Sequence, residues 1–122
     1  MIRAVMQAVA LAAITVAPAA AQEATSEGSG AVLRGLDKLT GRSADIELRT
    51  GETGQFGRIE VSLGDCRFPE GNPAGDAFAF LSIREAGKSD LAFRGWMIAS
   101  SPALNAMDNQ RYDVWVLRCT NS

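Results

Sequence analysis

The groups that could do chemistry gather in one stretch, GWMIASSPALNAMDNQRYDVWVLRC at residues 95–119. Ser100, Ser101, Asp108, Asn109, Arg111 and Asp113 lie there between two apolar runs that carry Trp96 and Trp115. A serine becomes a nucleophile when a base takes its proton, and the usual base is histidine. The chain has no histidine. Its only lysines, Lys38 and Lys88, fall in predicted turns that the sequence does not bring near the serines. Ser100 therefore reads as the end of a strand and Ser101 as an N-cap, with Pro102 at the first helical position. Paired carboxylates are the other route, since glycoside hydrolysis needs two at a set separation. Asp65, Glu70, Asp76, Asp108 and Asp113 are the candidates, among fourteen acidic residues that a surface of this size must crowd. Asp76 follows Asn72-Pro73-Ala74-Gly75 and is expected to hold its own turn. A metal site would rest on carboxylates alone, and no phosphate-cradling glycine loop follows a strand. No catalytic residue, metal or cofactor is assigned.

The elements that must hold this stretch begin after a leader. MIRAVMQAVALAAITVAPAAA has Arg3 as its only charge, an apolar run from Ala4 to Val16, and small residues at its end. Residues 1–21 are expected to be a cleavable signal peptide, the apolar run falling short of the ~20 residues of a spanning helix. The mature form then has no transmembrane segment and works in the periplasm. QEATSEGSG at 22–30 is polar and aperiodic, the composition of a disordered lead-in. Residues 31–122 make one domain. Removing Arg3 leaves the remainder mildly acidic, with no basic stripe for nucleic acid. Cys66 and Cys119, in an oxidising compartment, read as a single disulfide, the alternative being two free thiols without C-x-x-C spacing.

Period-two alternation dominates the domain. SADIELRTG sets Ala44, Ile46 and Leu48 against Asp45, Glu47 and Arg49, and RIEVSLGDC sets Ile59, Val61 and Leu63 inward. AVLRGLDKL precedes them as a first strand, and TGETGQFG between them reads as a glycine-rich turn. Strict alternation would turn Cys66 outward, so a core disulfide requires a bulge at Gly64-Asp65. PEGNPAGD is a loop, AFAFLSIRE a central strand covered on both faces, EAGKSD a hairpin turn and LAFRGWMIAS its return. Pro102 to Met107 reads as one helical turn, and YDVWVLRC as the last strand. That strand is expected to carry Trp115, Leu117 and Cys119 on its core face and Tyr112, Val114 and Val116 on the other. The total is an all-β domain, a small barrel or sandwich of six or seven short strands with one short helical turn and one disulfide. The last strand must approach RIEVSLGDC for the cysteines to meet.

GLDKLTGR, NPAGDAFAFLSIRE and the 95–119 stretch resemble the small exported proteins of Gram-negative bacteria grouped as domain of unknown function 2155, from about Ala31 to Cys119. The resemblance implies an exported, disulfide-bearing domain without cofactor, and it brings no catalytic residues to carry over. The reading that follows is a periplasmic, non-enzymatic binding or accessory module of the cell envelope, taking an envelope protein or a glycan. Its expected binding surface comprises Trp96, Ser100, Asp108, Asn109, Arg111, Tyr112 and Asp113, with Arg111 and Tyr112 forming a polar rim to the Trp96 side. Two alternatives stand beside it, an inhibitor of a cell-wall-degrading enzyme that presents the 99–113 loop, and a carboxylate-dependent glycoside hydrolase.

Overall fold

The structure, a computed structural model, describes residues 24–121, so the expected leader at 1–21 lies outside the described residues. Eight strands follow in order: β1 Thr25–Glu27, β2 Gly30–Asp37, β3 Ser43–Arg49, β4 Thr53–Phe56, β5 Ile59–Pro69, β6 Phe78–Glu85, β7 Leu91–Ile98 and β8 Tyr112–Thr120. All pairings are antiparallel. One sheet runs β1-β5-β6-β7, with β4 pairing the other half of β5's free side; the second runs β3-β2-β8. The two are packed as a sandwich and are not closed into a barrel, because no ladder joins β7 to β8.

Alternation builds the layer between the sheets. Ile59, Val61 and Leu63 of β5, Ala79, Leu81 and Ile83 of β6, Leu33 of β2, and Val114 and Val116 of β8 are buried there together. Burying a branched aliphatic side chain contributes about 1.5–3 kcal/mol, so these positions dominate the core. The bulge expected at Gly64-Asp65 is present. Leu63 faces Leu81 and Asp65 faces Phe80, so Gly64 is the extra residue and Cys66 returns to the interior. Cys66 and Cys119 are bonded with their Cα atoms 5.7 Å apart, and the bridge ties β5 of one sheet to β8 of the other.

Four expectations are corrected. The TGETGQFG turn contains strand β4, whose Thr53 and Phe56 pair with Ser62 and Ile59; a short edge strand makes its bonds through the main chain and needs little side-chain pattern. The stretch expected to be disordered is ordered from Ala24, with Ser26 opposite Phe68. GSG then crosses between sheets: Gly28 N–H bonds to the Cys66 carbonyl at 2.7 Å and Ser29 N–H to that of Thr120 at 2.8 Å. A Cβ on Gly28 would lie 2.8 Å from the Thr120 oxygen, which explains a glycine at this crossing.

Third, no helix forms at 102–107. Leu104 N–H bonds to the Ser101 carbonyl at 3.0 Å, closing a single turn, and Met107 enters the core after it. Pro102 fixes a φ that suits the second position of a β-turn as well as a first helical position, so its chemistry did not discriminate. Fourth, Trp115 and Leu117 face outward and Tyr112, Val114 and Val116 inward. Val32 faces Arg118 and Leu33 faces Val116, leaving Leu117 as a bulge that restores Cys119 to the interior.

Candidate functional site

The connection from Ala99 to Arg111 links β7, the edge of one sheet, to β8, the edge of the other. Its two ends are fixed by local chemistry. At the first, the Asp76 carboxylate accepts the Ser100 hydroxyl at 2.6 Å and the N–H groups of Ala77 and Ser100 at 2.9 Å each. Burial raises the Asp76 pKa, but these three hydrogen bonds outweigh it and the net shift is downward. Ser100 is thus a clip between two loops, and its hydroxyl donates to a carboxylate that is held ionised.

At the second end, the Asn109 side-chain oxygen accepts the N–H groups of Arg111 and Tyr112 at 2.9 Å each, a turn that starts β8. Lys38 Nζ donates to the Asn109 carbonyl at 2.7 Å. Arg111 grips Asp37 through Nε at 3.2 Å and Nη2 at 3.0 Å. The hydrogen bonds from Arg111 hold the Asp37 carboxyl below its ordinary value, although burial pushes the other way. Asp37 is the one buried charged side chain among the described residues. Tyr112, expected at a polar rim, is buried: its ring meets Phe56 edge-on at 6.0 Å, and its hydroxyl accepts the Arg58 N–H at 3.0 Å. Asn109, Arg111 and Tyr112 therefore hold the connection in place.

The middle of the connection is exposed from Ser100 to Ala106 and folds back over the β7 edge, where Asn105 Nδ2 donates to the Trp96 carbonyl at 2.8 Å. Between this segment and the outer face of β8 lies an open groove of about 370 Å³, lined by Pro102, Ala103, Ala106, Asp113 and Trp115. Asp113 and Trp115 are half-buried, and the Asp113 carboxylate makes no hydrogen bond or ion pair among the described residues. Of the residues expected to form a binding surface, Asp113 alone lines this groove. Trp96 projects from the other sheet against Phe80, ring centroids 5.4 Å apart, and Asp108 is exposed on the connection. Trp115, Pro102, Ala103 and Ala106 were missed as site residues because the β8 parity and the 102–107 backbone were misread. The signal was available: both faces of YDVWVLRC are apolar, and two inward valines outweigh one tryptophan.

The carboxylates do not assemble into an acid and base pair around the groove. Asp65, 3.4 Å from Arg67, is on the outer face of the other sheet, and Asp76 is committed to Ser100. A smaller cavity at the β6–β7 hairpin is lined by Glu85, Lys88, Asp90, Leu91 and Ala92. There Lys88 lies 2.7 Å from Glu85 and lowers its pKa, whereas a general acid needs a raised one. Both lysines are thereby engaged away from Ser100 and Ser101. Among the described residues no three His, Cys, Asp or Glu side chains gather where they could hold a metal ion, and no helix is long and apolar enough to cross a membrane.

Comparison with known proteins agrees with the sequence resemblance. A family model described as an uncharacterized protein conserved in bacteria (DUF2155) matches residues 31–119. An uncharacterized protein of Rickettsia prowazekii (strain Madrid E) is 30% identical over 87 residues, covering 69% of this chain and 56% of that relative. The chain thus aligns with little more than half the length of that relative. No solved structure matches it.

Proposed function

We propose that this chain, which belongs to the DUF2155 family, is a non-enzymatic binding module of the periplasm that takes an envelope component into the groove over β8. The groove itself carries the reading. It combines apolar walls from Pro102, Ala103 and Ala106 with an indole and a single polar side chain, Asp113. Small-molecule and side-chain sites are concave, mostly apolar and equipped with few polar groups that fix orientation. Hydrolysis would ask for a second ionisable group facing the same space, and the lining holds one.

The compartment is supported by the Cys66–Cys119 bond, since such bonds persist where the medium is oxidising, and by the leader read at residues 1–21. The test is retention of the purified protein on cell-wall sacculi and on immobilised envelope extract. Retention on one of them, lost when Ala106→Trp fills the groove, is the expected result. Retention on neither, or retention indifferent to Ala106→Trp, overturns the reading.

A further inference from the structure

We infer that the groove over β8 recognises a cationic side chain, the guanidinium or ammonium group of an extended polypeptide; this inference rests on the reading of the groove as a binding site. It starts from an imbalance of charge. Asp113 is half-buried, is the one charged group in the lining, and has no hydrogen bond or ion pair among the described residues. Its carboxylate opens into a groove with apolar walls, where an incoming cation can pair with it directly.

Three neighbouring cations are engaged elsewhere, and Arg118, whose charge acts on Asp45, is outside the groove lining. Arg34 lies opposite Trp115 across the β2–β8 ladder, but its Nε donates to Asp45 at 2.8 Å. Arg111, two residues before Asp113, is held by Asp37. Lys38 is spent on the Asn109 carbonyl. The uncompensated charge therefore faces the groove, next to an indole.

That pair of groups selects the chemistry of the occupant. An aromatic face attracts a cation within about 6 Å of its centroid, most strongly when the face is tryptophan, and a carboxylate beside it adds a charge-assisted hydrogen bond. One anion and one π-face are sufficient for a guanidinium. A neutral sugar ring would need several polar groups to fix its hydroxyls, and the lining supplies one side chain. The walls of Pro102, Ala103 and Ala106 are small and apolar, and the groove is open to solvent, so the methylene stem of a long basic side chain can lie along them while its backbone stays outside.

The experiment follows the two tryptophan indole N–H resonances of the full protein by NMR during titration with three probes. These are a capped Ala-Arg-Ala-Arg-Ala peptide, its citrulline isostere, and the neutral N-acetylglucosamine tetramer. The arginine peptide is expected to shift Trp115 and leave Trp96 in place. Its affinity is expected to fall at least about tenfold with citrulline or with Asp113→Asn. It is also expected to weaken as ionic strength rises from about 0.01 to about 0.15 M and the screening length falls from ~30 to ~8 Å. Citrulline binding as well as arginine, the sugar shifting Trp115 in place of the peptide, or no probe shifting Trp115 overturns the inference. The retention test, with Ala106→Trp, decides separately whether the groove is a site at all, so a groove that binds sugar leaves the parent reading standing.

Discussion

The two tryptophans occupy matching places, each on the outer face of an edge strand, and their surroundings are opposite. Trp96 on β7 is 42% exposed, yet it sits in a filled cluster of protein contacts. Its ring packs against Phe80, the Arg94 guanidinium lies 5.7 Å from the centroid of that same Phe80 ring, and Asn105 takes up its carbonyl. Trp115 on β8 is less exposed, but it borders an open groove and an uncompensated carboxylate. Exposure by itself therefore measures contact with water and says little about readiness to bind. What sets the β8 side apart is an open groove with a solvent-facing carboxylate and an indole in its lining.

The comparison can be broken most forcibly through the disulfide. Replacing both cysteines by alanine opens a loop of 53 residues and is expected to cost about 4 kcal/mol in the chain-entropy model. Since the bond joins the two sheets, chemical denaturation should give one common midpoint at Trp96 and Trp115, lowered in the variant. Separate midpoints would mean that the two faces belong to independently unfolding layers. Next in size is Gly57→Ala. Gly57 sits at φ +56°, and a Cβ there would lie 2.6 Å from the Tyr112 hydroxyl. A loss of about 1–3 kcal/mol is expected for a residue forced into that conformation. Tyr112 begins β8, so the disturbance should move the Trp115 indole resonance and spare Trp96.

Smaller still, Trp96→Ala is expected to cost about 1 kcal/mol, the scale of an aromatic pair, and to leave retention on envelope material unchanged. Trp115→Ala should abolish that retention while the fold persists. The reverse pattern in the pull-down would transfer the site to β7. The smallest effect is set by pH. Asp37 has a lower pKa in the folded protein than when unfolded, so the unfolded chain binds protons first as acid is added. Its contribution is fully present above about pH 4–5 and is lost as the pH falls through the folded value. Denaturant midpoints should show Asp37→Asn less stable than wild type at pH 6, with the gap closing toward pH 2.5. A gap that stays constant would detach Arg111, and with it the start of β8, from this ion pair.

Much of the fold was legible because side-chain alternation is a local signal with a long-range meaning. Leu63 inward and Cys66 inward cannot both hold on a regular strand, and Gly64 marked where the count had to slip. The same conflict existed on β8, where Val114, Val116 and Cys119 all face inward, but no glycine flags the bulge at Leu117. Choosing the cysteine as the parity reference then sent Trp115 to the wrong face and hid the groove. β1 and β4 were illegible for another reason: they are short strands on the margin of a sheet, held by main-chain bonds that leave no side-chain pattern. The polar run Asp108 to Arg111 drew the eye as a site because capping residues and ligand-binding residues are the same types. Only geometry separates Asn109 closing a turn from Asn109 meeting a partner.

The crossing at Gly28 and Ser29 has a consequence for how this domain can be handled. The chain crosses from one sheet to the other hydrogen-bonded to Cys66 and Thr120, so this crossing and the close of β8 share one end of the molecule. Asp113 is seven residues back along β8 from Thr120, roughly 20 Å at the rise of an extended strand. A label placed at Thr120 would therefore stand at the disulfide end of β8, with Asp113 toward the opposite end of the strand.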